Sequence, residues 1–171
     1  MKFIQTGWKI KDVLGGLAFN KLEEELLESS PMVKLNYNRI KSSGAKKEVS
    51  KNSALHQART CYSHLAGVAG VKLFKFLVDK AWLAESASDK KMYFELTPKG
   101  NIQLRLKHVE VLKRSQMVGY ACPDWTDIGY HLGGKLGKVI IDGMISNGVA
   151  IRNLDRSVNL VVSIESWLEN N

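Results

Sequence analysis

The sequence predicts a mainly α-helical protein with small β-hairpins, organised as two similar units. Apolar residues recur at intervals of three and four along several segments, which is the spacing of an amphipathic helix. Short runs of β-branched and aromatic residues beside polar turns predict the hairpins. Only 3 prolines occur in 171 residues, which disfavours a loop-rich sandwich, and 44% hydrophobic residues are enough for a buried core.

The start of the chain is predicted to be a helix followed by a basic linker. Leucines at helical spacing precede Ser30 and Pro31, and the residue before a proline disfavours helical dihedrals. Residues 1–30 are therefore assigned as an N-terminal amphipathic helix. Residues 31–49 are predicted to be a basic linker, which acts either as a solvated connection or as an arm that binds phosphate.

Two units follow, residues 50–118 and residues 119–171. Thr97 is a favourable N-cap, and Pro98 suits the first helical position because its missing N–H has no partner there. The first unit is predicted to contain helices over Ser53–Leu65 and Val71–Trp82, a strand over Met92–Leu96 and a helix over Pro98–Gln116. The second unit is predicted to contain a helix over Lys138–Asn147, strands over Val149–Arg152 and Val158–Val162, and a helix that begins at Ser163.

The two units share a short motif. His64-Leu65-Ala66-Gly67 followed by Gly70 reappears as His131-Leu132-Gly133-Gly134 followed by Gly137, at a constant offset of 67 residues. Each copy precedes an apolar helix and a strand-like reversal, and two turn-separated helices before a hairpin are the order of a winged helix-turn-helix. The sequence therefore predicts two winged-helix-like units, in which residues 60–100 superpose on residues 127–167.

Three segments resemble one branch of the ArsR-type bacterial transcription regulators. Ala58–Gly67 resembles the branch's ARTCYxHLAG signature, and Tyr93–Gly100 resembles its YxLTPxG segment. Ala121–Thr126 with His131–Gly137 is similar to its ACLDW and HLAGxLG segments. The resemblance covers residues 50–171, the C-terminal part of such regulators, and implies a sensor and dimerisation role.

The chain also departs from that family. Members carry an N-terminal winged helix-turn-helix that reads DNA, and no segment before Ser50 has the required element order. Residues 1–30 resemble only the last wing strand and following helix of that domain. Pro123 replaces a leucine, and the Thr126–Tyr130 stretch differs from the family's more polar one, so shared ligand contacts are not carried over there.

The apolar helices of the two units are predicted to pack rather than to read bases. A recognition helix needs Arg, Asn, Gln or Lys side chains directed at base edges. The helix over Lys138–Asn147 is apolar through its centre, and the helix over Val71–Trp82 is apolar around most of its circumference. DNA binding is therefore expected to be weak and non-specific. The candidate phosphate contacts are Lys46, Lys47, Lys90, Lys91, Arg152 and Arg156.

One set of cysteine and histidine residues has two interpretations. Cys61 and His64, three apart on a predicted helix, could face one metal ion together with Cys122 and His131. Buried cysteine also packs as a small apolar residue, and each histidine could brace its unit through local hydrogen bonds. We expect the bracing role and no metal site. The candidate ligand or sensor residues are Cys61, His64, Cys122, Trp125 and His131.

The overall expectation is a cytoplasmic, non-enzymatic relative of transcription regulators. No catalytic motif, cofactor fingerprint, signal peptide or membrane span is recognisable, and the net charge of +8 favours polyanionic partners. We expect the sensor and dimerisation part of an ArsR-type regulator without the DNA-reading domain. Its expected partners are a second copy or a related regulator, DNA bound weakly, and a small-molecule ligand. The alternative is a small-molecule or metal-binding module on the same scaffold that does not act on DNA.

Overall fold

The structure, a computed structural model of the chain, describes residues 43–86, 92–126 and 129–169. These residues all lie within one compact unit, residues 38–171. The helix predicted over residues 1–30 lies outside the described residues. The described helices are α1 (Ser43–Ser50), α2 (Ala54–Gln57), α3 (Val68–Asp79), α4 (Pro98–Leu106), α5 (Gly134–Ser146) and α6 (Ile164–Glu169). The strands are β1 (Arg59–Cys61), β2 (His64–Ala66), β3 (Leu83–Ser86), β4 (Tyr93–Leu96), β5 (Val118–Pro123), β6 (Tyr130–Gly133), β7 (Ala150–Arg152) and β8 (Val158–Leu160).

The strands form three small antiparallel sheets. Strands β1 and β2 pair with each other, β3-β4-β5-β6 form a four-stranded sheet, and β7 pairs with β8. An isolated bridge joins Arg59 to Ser157, and the Thr60 amide donates to the Arg156 carbonyl oxygen at 2.8 Å. This mixture of helices and small antiparallel sheets is compatible with a winged-helix-like fold. The division into two such units at residue 118 stays a prediction.

Helices α3 and α5 supply much of the core. Each presents apolar side chains at intervals of three and four to the sheets, as the sequence pattern predicted. Full burial of such a side chain contributes about 1.5–3 kcal/mol. The buried apolar side chains are Ala69, Leu73, Phe74 and Leu77 on α3, and Leu136, Ile140, Ile141 and Met144 on α5. None of the helices in the described segments is long and apolar enough to cross a membrane.

The predicted start of α4 is confirmed, but its predicted end is wrong. Thr97 caps the helix by accepting a hydrogen bond from the Gly100 amide at 3.0 Å, with Pro98 in the first turn. The helix ends at Leu106 rather than near Gln116, and His108 has a φ of 55°. The Asn147 side-chain amide donates to the carbonyl oxygens of residues 107 and 108. A side chain distant in sequence therefore provides hydrogen bonds to the carbonyl groups at the helix end.

The helix predicted over Ser53–Leu65 is wrong. Only Ala54–Gln57 is helical, and β1 and β2 form a hairpin in place of the rest. Strand β1 bonds to β2 on one side and to residues near β8 on the other. Long-range strand pairing therefore overrides the local helical pattern. The end of the predicted linker also differs, because α1 is helical and its Ala45 is buried.

The described elements succeed one another in the same order twice. A hairpin, a helix, a second hairpin and a second helix run from β1 to α4 and again from β5 to α6. His64 and His131 lie in corresponding strands, β2 and β6. The predicted superposition as helix, helix and hairpin differs in its first element, because a hairpin stands where the first helix was expected.

Two glycines allow each helix to approach the opposite hairpin closely. A β-carbon at Gly70 would lie 2.6 Å from the Leu65 carbonyl oxygen and 3.2 Å from Cβ of His131. A β-carbon at Gly137 would lie 2.1 Å from the Leu132 carbonyl oxygen and 3.0 Å from Cβ of His64. Through these reciprocal contacts, Gly70 and Gly137 allow α3 and α5 to pack against both histidine strands.

We expect Gly70→Ala and Gly137→Ala each to lower the free energy of unfolding by about 1–3 kcal/mol, because the added methyl group overpacks rigid backbone. Urea denaturation measures the change. The matched control is Gly148→Asn, since Gly148 has a φ of 69° with no atom near its Cβ position, and asparagine tolerates that conformation. An unchanged unfolding free energy in both alanine variants would contradict the packing described above.

Candidate functional site

Two hairpins bring four candidate residues together. Cys61 lies opposite His64 in the β1-β2 pair, and Cys122 lies opposite His131 in the β5-β6 pair. Directly opposed residues of an antiparallel pair share one face, so each hairpin presents one thiol and one imidazole. The potential ligand atoms of all four residues lie within 4.8 Å of one another. Cross-strand pairing, and not the predicted helical spacing, makes Cys61 and His64 neighbours.

The cluster is buried on its imidazole side. His64 is 2% exposed and His131 is 0% exposed, whereas both cysteines are half-buried. The Nε2 atoms of the two histidines lie 3.2 Å apart. One ring donates to the other in this contact, which joins residues 67 apart in the chain, whereas the expected bracing role involved local hydrogen bonds within each unit. That role stays a prediction.

Hydrogen bonds change the proton affinities in the cluster. Contacts from Cys122, then from His131 and His64, hold the pKa of the Cys61 thiol far below its usual value despite partial burial. Burial alone would lower the pKa of His131, but its contacts with Asp124 and Cys61 outweigh burial and raise it. These contacts favour the thiolate form of Cys61 and the protonated form of His131.

Asp124, directly after β5, connects the cluster to the rest of the core. Its Oδ2 atom lies 3.0 Å from Nδ1 of His131 and accepts a hydrogen bond from the Gly67 amide at 2.8 Å. Its Oδ1 atom accepts from the Arg59 guanidinium at 2.7 Å and from the Thr126 amide at 2.9 Å. Burial would raise the pKa of this carboxyl, but the contacts with His131 and Arg59 hold it well below its usual range.

Arg59 is the cation that balances this carboxylate. The side chain is 1% exposed and also donates to the Leu55 carbonyl oxygen and to Oγ1 of Thr126. Its guanidinium lies 4.4 Å from the centre of the Trp125 ring. Trp125, a predicted ligand candidate, thus covers Arg59. Such stacking adds cation–π attraction and excludes water.

Sequence reasoning did not assign a role to Arg59 or Asp124. Both stand inside the motifs that carry the family resemblance, Arg59 next to the Thr60-Cys61 step and Asp124 next to Trp125. A charged residue within an otherwise apolar strand pattern is a signal of a buried pair, because unpaired charges are rarely buried. The sequence separation of 65 residues hid the partner.

The predicted phosphate contacts are dispersed over the surface. Lys46 and Lys47 are exposed on α1, Arg152 ends β7 at 3.8 Å from Asp142, and Arg156 lies in the β7-β8 turn. Lys90 and Lys91 lie outside the described residues.

A cleft of about 390 Å³ lies beside the core, between α2, α3 and the segment from β8 to α6. Its lining includes Val68, Ala69, Val158 and Ile164, with Lys72 and Glu165 forming an ion pair of 2.8 Å. None of the five predicted ligand candidates lines this cleft. A small molecule bound there would contact apolar side chains and one charged pair.

We expect Arg59→Met to lower the free energy of unfolding by about 3–5 kcal/mol, because it leaves a buried carboxylate without its cation. Asp124→Asn removes the complementary charge, and the double variant reports the coupling between them. The control is Lys75→Met, which breaks an exposed pair with Asp79 and should cost about 0–1 kcal/mol. Urea denaturation provides all four values. A cost for Arg59→Met no larger than that of the control would refute a structural role for the pair.

Comparison with known proteins supports a relationship to transcription regulators. No protein-family model matches the chain, and no solved structure gives a significant match. The uncharacterised HTH-type transcriptional regulator YdfF of Bacillus subtilis (strain 168) is 30% identical over 132 residues. The matched region is 75% of this chain and 53% of that protein, so the chain spans about half the length of this relative. The similarity therefore relates this chain to part of an HTH-type transcriptional regulator.

Proposed function

We propose that this chain acts as the sensor and dimerisation part of an ArsR-type transcription regulator, with at most weak, sequence-indifferent affinity for DNA. The observation that carries the proposal is the 30% identity to an HTH-type transcriptional regulator over 75% of the chain. The motifs that resemble the ArsR branch lie in β1, β2, β4, β5 and β6, and those of the two cysteine–histidine hairpins supply Arg59, Gly67, Asp124 and His131 to the buried network. The sensor role is therefore assigned to this network.

The charge distribution on the helices supports weak DNA binding. On α3, Lys75 pairs with Asp79 at 2.6 Å, and Lys72 pairs with Glu165. On α5, Lys138 pairs with Asp142. Each pair neutralises a lysine that a phosphate group would otherwise contact, and phosphate contacts alone carry no sequence information.

We expect two unrelated DNA duplexes to bind with the same affinity, and the affinity to fall steeply between about 50 and 200 mM salt. Fluorescence anisotropy measures both properties. Lys46→Gln/Lys47→Gln should weaken binding and reduce the steepness of the salt dependence by about 2 logarithmic units per tenfold salt, since each phosphate contact contributes about 0.9.

The matched control for DNA binding is Lys72→Gln/Lys75→Gln, which removes the same charge from lysines already paired with carboxylates. Its effect should be smaller. A preference for one duplex at physiological salt would overturn the assignment of sequence-indifferent binding and would mean that an apolar helix contacts base edges.

Self-association has a candidate surface on the last hairpin. Ile151 is 53% exposed, Leu154 is fully exposed, and Val161 is 60% exposed just after β8. Exposed apolar side chains grouped on one hairpin are what a second copy would cover. The β7-β8 side of the molecule is therefore proposed as the dimer contact.

We expect native mass spectrometry to show a dimer, and Ile151→Lys/Leu154→Glu to shift it to the monomer. Burying either charged side chain would carry a desolvation cost without a partner. Leu112→Lys is the control, because Leu112 is 75% exposed elsewhere and should leave the dimer unchanged. A wild-type chain that remains monomeric at micromolar concentration would refute the dimerisation role.

The alternative function is a small-molecule or metal-binding module that does not act on DNA. The convergence of two thiols and two imidazoles favours it. DNA affinity separates the two proposals, because the module requires none at any salt concentration.

A further inference from the structure

We propose that Cys61, His64, Cys122 and His131 form a four-coordinate site for a transition-metal ion, with zinc as the preferred ion. This inference goes beyond the regulator role and does not depend on it. It also reverses the expectation drawn from the sequence, which counted only Cys61 and His64 as neighbours. The structure supplies the missing observation, since all four potential ligand atoms lie within 4.8 Å of one another.

The spacing of the imidazole nitrogens matches a tetrahedral site. Zinc–nitrogen bonds of about 2.0–2.1 Å at a tetrahedral angle separate two nitrogens by about 3.3 Å. The Nε2 atoms of His64 and His131 are 3.2 Å apart. Two nitrogens at this distance can share either one proton or one metal ion. Only a metal ion would also bind the two cysteines beside them, which complete a four-ligand set.

Asp124 orients one of the ligands. Nδ1 of His131 lies 3.0 Å from Oδ2 of Asp124, so a proton on Nδ1 leaves Nε2 as the atom that faces the cluster. Metal-binding histidines commonly direct their other nitrogen at a carboxylate, which fixes the ring and its tautomer. The carboxylate is itself held by Arg59, Thr126 and the Gly67 amide.

The charges balance when the ion is divalent. Two thiolates and one divalent cation are neutral together, and the neighbouring Asp124 and Arg59 form a neutral pair. A neutral site suits an environment in which both histidines are almost completely buried.

The ligand types select the class of metal. Two sulfurs and two imidazole nitrogens favour zinc and disfavour magnesium and calcium, which take oxygen ligands. Four protein ligands leave no open position, as in structural rather than catalytic zinc sites. The half-buried cysteines give the ion a route to solvent, so exchange with the surroundings is available to a sensor.

Binding would link the two hairpins directly. Cys61 and His64 lie in the β1-β2 hairpin, while Cys122 and His131 lie in the four-stranded sheet. Because the metal contacts both, its binding free energy would add to the stability of this junction. Loss of the ion would leave the histidine contact and the Asp124 network as the remaining links.

The test is metal binding by the whole chain, purified with a thiol reductant and freed of metal by a chelator. Inductively coupled plasma mass spectrometry should find one zinc per chain after zinc is added back. Titration with Co²⁺ alone should produce the visible bands of tetrahedral cobalt and the near-ultraviolet band of a cobalt–thiolate bond. That band requires cysteine coordination and needs no variant.

Two ligand variants and one control complete the experiment. Cys61→Ser and His131→Gln should each weaken zinc binding at least about 10-fold, whereas His108→Gln should leave it unchanged, because His108 is exposed and outside the cluster. Circular dichroism identifies the variants that remain folded. A reduced, folded wild-type chain that binds neither ion overturns the proposal, and so does full zinc binding by folded Cys61→Ser and His131→Gln. DNA affinity and dimerisation are measured separately and test the regulator role alone.

Discussion

The carboxylate of Asp124, with no exposed surface, is held by groups from three other segments of the chain. The Arg59 guanidinium comes from β1, the Gly67 amide from the turn after β2, and the His131 ring from β6. Such a charge is tolerated in the interior only when every hydrogen-bonding position has a partner. The position of each segment is therefore defined relative to the others, and both cysteine–histidine hairpins are oriented through this one group.

A buried ion pair is a weak source of net stability, because desolvation of both charges offsets their attraction. In this structure, the role of the pair is to make the strand register specific. Alternative registers of β1 or β5 would leave Arg59 or Asp124 buried without its partner, and the cost of an unpaired charge excludes them. Gly70 and Gly137 add a steric constraint of the same kind, since only a small residue allows each helix to reach the opposite histidine strand.

The positions of the ion pairs relate the structure to its function. Lysines on α3 and α5 are engaged with carboxylates. The chemistry is concentrated instead at the junction of the two hairpins, where thiols, imidazoles and a carboxylate meet. The chain is 30% identical to an HTH-type transcriptional regulator over about half of that protein's length.

Local pattern alone was sufficient for α3, α5, the N-cap of α4 and the short strands β4, β7 and β8. These elements depend on side-chain periodicity and on contacts within a few residues, which the sequence displays directly. The shared His-Leu-x-Gly motif also identified two corresponding positions in the chain. The sequence did not indicate that both positions lie in strands. The same reasoning named all four residues of the cluster.

Tertiary structure alone decided the β1-β2 hairpin, the end of α4 and the meeting of the four ligands. In each case the deciding contact joins residues far apart in the chain: Thr60 with Arg156, Asn147 with the carbonyl groups at the end of α4, and Arg59 with Asp124. The energy of such a contact depends on the distance between two segments in space. A single sequence does not encode that distance in any local pattern, so it could name the ligands but not bring them together.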